Sequence, residues 1–188
     1  MECTLEKKII CNKHDIILKK LSPNYFSINF SCHNENYDLS KLVDFNLYTL
    51  MAKLNTDLID KIKIYKADDK DINSRKILFL FKSLGKELGL SPKYMHLSTK
   101  YIKCDNRIVF NSVSIPKKKS SKYNNYEKLT CNHSELAITI ENQHVLNVEY
   151  NFNIDLHEDL PIYMENMIGI LMKKVFYRLK IFIEKMHL

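Results

Sequence analysis

Tryptophan is absent from this chain, and glycine and proline are scarce, with 3 and 4 occurrences in 188 residues. That scarcity excludes collagen-like, linker-rich and low-complexity designs. No apolar run approaches the roughly 20 residues a membrane-spanning helix needs. The amino-terminal stretch MECTLEKKIICNKHD carries Glu2, Glu6, Lys7 and Lys8 and no long apolar segment, so it does not read as a secretion signal. A glycine-rich phosphate loop, G-x-S-x-G and H-E-x-x-H are all missing. The reading is of a non-enzymatic protein with no cofactor, no metal and no membrane partner.

The five cysteines, Cys3, Cys11, Cys32, Cys104 and Cys131, are odd in number and widely scattered. Without a C-x-x-C pair they read as reduced thiols of an intracellular protein, cytoplasmic or nuclear and not secreted. Cys3, Cys11 and His14, or Cys131 with His133, would begin a metal site, but neither set has the spacing of one. Asp68, Asp69 and Asp71 read as a solvated acidic loop.

What is present is apolar and basic. Apolar residues make up 45% of the chain, enough for a globular core. The formal net charge is +7, supplied almost entirely by lysine, since Arg75, Arg107 and Arg178 are the only arginines. Such a balance suits a polyanion, because each neutralised phosphate releases counterions. It equally fits the lysine, asparagine and isoleucine bias of an AT-rich or viral genome.

Period-two alternation predicts strands at Tyr25–Cys32, Ile59–Lys66, Asn106–Pro116 and in the two segments SELAITIEN and HVLNVEYNFNID, which turn at Asn142–His144. Leu39, Leu42, Val43, Leu47, Leu50, Met51 and Leu54 recur at helical spacing after a capping Asp38. Ile77, Phe81, Leu84 and Leu88 predict a helix from about Ser74 that stops at Gly89, and Ser91-Pro92 starts a second. Between Leu160 and Leu188, the residues Met164, Ile168, Leu171, Val175, Leu179, Phe182 and Met186 form one long buried stripe. The fold class is α+β: an antiparallel sheet packed against a long carboxy-terminal helix, with an inserted helix pair. Residues 1–188 read as a single domain, with the pair at 73–103 and a basic mobile loop at 117–128.

The stretch FKSLGKELGLSPKYMHLSTKYIK resembles a helix-turn-helix, with Gly85 at the close crossing and Gly89 in the turn. That resemblance implies DNA binding, with Lys93 and Lys100 on phosphates and Lys117, Lys118, Lys119 and Lys122 adding a basic loop. INFSCHNENYDLSKLV, RIVFNSVSI, ELAITIENQHVLNVEYN and IYMENMIGILMKKVF are similar, in that order, to a single TATA-binding-protein repeat. This second resemblance implies a transcription factor on duplex DNA, with Asn24, Val145 and Val148 facing the groove and Ile140 where a wedge phenylalanine stands. SINFSCHNENYDLSKLVDFNLYTLMAKL with LGKELGLSP is also similar to the assembly-platform subunits of multisubunit RNA polymerases. There the carboxy-terminal helix would meet other transcription proteins and no base would be read.

Overall fold

The computed structural model describes residues 8–67, 71–83, 91–116, 123–155 and 162–187, with Met164 described by its backbone alone. The first three strands are β1 (Lys8–Lys13), β2 (Ile16–Ser22) and β3 (Tyr25–His33). A 3-10 turn (Leu39–Leu42) and helix α1 (Asn46–Leu54) follow. Then come β4 (Ile59–Lys66), β5 (Ser74–Phe81), β6 (Lys93–Cys104), β7 (Arg107–Ser114) and the two-residue β8 (Glu127–Lys128). The chain closes with β9 (Thr130–Asn142), β10 (Val145–Asp155) and the long helix α2 (Ile162–Lys185).

The strands form one sheet in the order β1-β2-β3-β10-β9-β7-β6-β5-β4, with β8 alongside β6. Every pairing is antiparallel except the short β6–β8 contact. Because β3 and β4 lie far apart in that order, α1 carries the chain across one face of the sheet. Helix α2 packs on the same core, against α1, β2 and β3. The expected α+β architecture, an antiparallel sheet under a long carboxy-terminal helix, is what the protein has.

With so few glycines, the hairpins turn on other residues. His14 and Asp15, at φ 60° and 56°, make the two-residue β1–β2 turn. Asn24, at φ 56°, follows Pro23 in the β2–β3 turn. Asparagine and aspartate tolerate the left-handed region better than most residues, which makes such turns cheap without glycine.

The inserted helix pair at 73–103 is corrected: residues 74–81 and 93–104 are neighbouring antiparallel strands. The cause is burial on both faces of β5. Ile77 and Phe79 enter the main core, while Leu78 and Leu80 are buried outside it. A run apolar on both faces hides its period of two and can be counted at helical spacing. Leu84, Gly85, Leu88 and Gly89 lie outside the described residues, as do Cys3, Asp68, Asp69 and Lys117, Lys118, Lys119 and Lys122. At the far end of the expected basic loop, Glu127–Lys128 is strand β8.

The predicted helix from Asp38 is interrupted. Asp38 does cap, accepting from Ser40 N at 3.1 Å, but only the 3-10 turn follows, and α1 starts afresh beyond Asp44. The stripe on α2 is rotated from the predicted one. Val175 and Leu179 are buried as expected, yet Phe182 is exposed and Leu171 half-buried. The buried flank holds Glu165, Gly169, Lys173, Phe176, Lys180 and Ile183. Its lysines are buried because they meet backbone acceptors: Lys173 Nζ donates to Lys13 O at 3.0 Å and Lys180 Nζ to Ser31 O at 2.7 Å. Paired in this way, buried ammonium groups avoid most of the desolvation cost.

Candidate functional site

Alternation along β6, β7 and β9 brings three small hydroxyl residues to one line on the inner face. Thr99 stands opposite Ser112, and Ser112 opposite Ser134. All three are buried, and the Thr99 and Ser112 hydroxyls are 2.9 Å apart. Two phenols join this row, Tyr48 from α1 and Tyr150 from β10. Burial pushes the Tyr48 phenol well up, partly offset by a hydrogen bond with Ser112. Burial likewise raises Tyr150, with partial relief from Ser134. Both therefore stay neutral across the physiological range.

Above this polar floor lies a gap of about 40 Å³, roofed by α2 and walled by α1 and β5. Ser112, Ser134, Tyr48 and Tyr150 line it, and no charged side chain does. Three of its other walls are Met51, Met95 and Met172, one each from α1, β6 and α2. A second, smaller gap of about 20 Å³ lies toward the carboxy-terminal end of α2, between Phe30, Leu42, Val148 and Ile183. Its lining carries no hydroxyl.

Polar anchors hold the roof at both ends. Near the start of α2, Glu165 accepts from Lys20 Nζ at 2.5 Å and from the backbone N–H of Asn24. At its end, buried Asn34 donates through Nδ2 to the carbonyls of Ile183 at 2.6 Å and Met186 at 2.9 Å. The Ile183 carbonyl is among the four that the end of α2 leaves without a partner in the regular helical ladder, and Met186 lies just past that end. In between, Asp57 bridges Arg178 and Lys174.

Among the described residues, those expected to bind DNA do not converge. Asn24 sits in the β2–β3 turn, with its backbone engaged by Glu165. Val148 is in the core beneath α2, and Val145 begins β10 beside an open concavity of the sheet that both residues line. Lys93 is ion-paired with Glu127, and Lys100 projects from a strand rather than from a recognition helix. The two inner faces that would read a groove or dock a partner, those of the sheet and of α2, are packed against each other.

Among the described residues, no group of three His, Cys, Asp or Glu side chains is placed to hold a metal. Cys11 instead accepts from Lys173 Nζ at 3.3 Å. Sequence reasoning missed the hydroxyl row entirely. Its signal was three polar residues at inner positions of apolar strands, visible only once the register is known.

No protein-family profile matches the sequence, and no curated protein sequence matches it. Solved structures do match in fold. The human StarD13 (DLC2) lipid transfer and protein localization domain superposes with a TM-score of 0.73 at 12% identity, over 96% of this chain and 91% of that one. Human StAR-related lipid transfer protein 5 gives 0.71 at 12% identity, over 94% and 84%. A STAR-related lipid transfer protein fragment from Xanthomonas axonopodis gives 0.62 at 13% identity, over 93% and 94%. The chain shares their fold. That finding overturns the resemblances to the TATA-binding protein, to helix-turn-helix proteins and to polymerase assembly subunits, and with them duplex DNA and transcription proteins as partners.

Proposed function

We propose that this protein binds a compact, uncharged, mainly apolar molecule carrying one hydrogen-bonding oxygen, held in the gap beneath α2. The observation that carries this reading is the hydroxyl floor in an otherwise apolar enclosure. Small-molecule sites are typically apolar with a few convergent polar groups that fix orientation. Here those groups are neutral, so an ionised ligand would be buried without a counter-charge, at a cost of several kcal/mol. The fold likeness to proteins named for lipid transfer supports the same class of ligand. The reading is of binding and not catalysis, and an intracellular setting is supported by the free state of Cys11, Cys32, Cys104 and Cys131.

The gap of about 40 Å³ is small as it stands. It has room for roughly three waters, since each needs about 10–15 Å³ by this measure. Binding therefore needs the walls to move. Met51, Met95 and Met172 supply that adaptability, because an unbranched thioether changes rotamer cheaply and repacks around a guest. No helix among the described residues is long and apolar enough to cross a membrane.

The test is a calorimetric titration with octanol and with octanoate at about pH 7.5, where the acid is ionised. Octanol should give a saturable one-to-one isotherm and octanoate none. Equal or tighter octanoate binding, or no saturable octanol binding, would overturn the reading.

A further inference from the structure

We infer that Phe176 is the partition that limits the length of the ligand, so that the native guest is confined to the hydroxyl-floored chamber. This rests on the binding site proposed above. The two interior gaps share only two lining residues, Leu136 on β9 and Phe176 on α2. Leu136 belongs to the sheet floor and Phe176 descends from the roof, so together they close the passage between the gaps.

The contacts of Phe176 match that role. Its ring lies 4.9 Å from Tyr150, which lines the first chamber, and 5.8 Å from Phe30, which lines the second. It is 1% exposed. The chambers also differ in chemistry. The first offers hydroxyls; the second is walled by aliphatic and aromatic carbon with the single thiol of Cys32. Joined end to end, they would suit a molecule with a polar head and a long apolar tail. Separated by Phe176, they admit the head and a short body only. Discrimination by length follows from the side chain at one position.

The experiment is an n-alkanol series, from butanol to dodecanol, titrated into the wild-type protein and into Phe176→Leu and Leu179→Ala. Leu179 lines only the second gap, so its truncation enlarges that space without opening the passage. Below the length limit, affinity should rise about fourfold for each methylene buried. We expect the wild type to reach a plateau, Phe176→Leu to extend the rise by several carbons, and Leu179→Ala to keep the wild-type limit.

A wild type without a plateau, or Phe176→Leu with the wild-type plateau, would overturn the partition while leaving the binding site standing. A shifted limit in Leu179→Ala would also overturn it, as general loosening of the core would then explain the gain. If the wild type binds no alkanol at all, the binding site itself fails and the partition with it. Circular dichroism checks each variant. Phe176→Met, closer in volume, replaces Phe176→Leu if that variant does not fold, and should likewise extend the rise because its flexible chain no longer blocks the passage.

Discussion

The hydroxyl oxygens of Thr99 and Ser112 face each other at 2.9 Å across β6 and β7, both buried in the core. A pair of hydroxyls in a core is nearly neutral when each satisfies the other, but costly when one is left alone. Ser112 also bonds Tyr48, so it links the sheet to α1. We expect Ser112→Ala to destabilise the protein by about 1–3 kcal/mol, because it strands Thr99 and Tyr48 together. Urea melts of Ser112→Ala, Thr99→Val and the double variant should show the double costing less than the sum of the two singles.

The rotation of the buried flank on α2 gives a paired prediction. Leu179→Ala should cost about 2–5 kcal/mol, as for a truncated core leucine. Phe182→Ala, on the outward side at 38% exposure, should cost less than about 1 kcal/mol. Equal effects at both positions would mean that the apolar stripe expected from spacing alone faces the core after all.

Asp57 makes α2 sensitive to acid. Its carboxylate accepts from Arg178 Nη1 and Nη2 and from Lys174 Nζ, the last two at 3.0 Å. Hydrogen bonding to the Arg178 guanidinium, then to Lys174, holds its carboxyl well below the usual carboxylate range. A depressed folded-state pKa means that the stabilisation is fully present above the unfolded value and is lost as pH falls toward the folded one. For an aspartate this loss begins near pH 4 and continues below it. Asp57→Asn should therefore flatten the acid limb of the stability curve below about pH 4. A parallel acid limb in the variant would show that the bridge adds nothing.

Thiol accessibility offers a check on the core. Burial pushes the Cys32 thiol up to about 12, and burial also raises Cys131. Cys104 is exposed at the end of β6. Since the thiolate is the reactive form, iodoacetamide at about pH 8 should modify Cys104 in the native protein while sparing Cys32 and Cys131 until denaturant is added. Peptide mass mapping reads this directly.

Much of the architecture was legible in the sequence, and for a definite reason. β4 has the bounds Ile59–Lys66 that its alternation predicts, and β3, β7, β9 and β10 fall where alternation puts them. Each alternates core-facing with more polar residues, the pattern a half-covered strand must show. β5 broke the rule by burying both faces. The β1–β2 hairpin escaped notice because His14-Asp15 replaces the glycine pair that would have signalled its turn.

The chamber was illegible for another reason. Thr99, Ser112 and Ser134 are separated by 13 and 22 positions, and only pairing brings them together. The transcription resemblances failed because a strand, a helix, more strands and a final helix is an order that unrelated α+β folds share.

Methionine methyl groups report the ligand site most directly. The account places Met51, Met95 and Met172 on the chamber walls, and Met167 and Met186 away from it on α2 and just beyond its end. With ¹³C-methyl methionine and an octanol titration, the resonances of Met51, Met95 and Met172 should move together and saturate, while those of Met167 and Met186 stay in place. Shifts confined to Met167 or Met186, or no saturable shift at the three wall residues, would contradict a ligand site beneath α2.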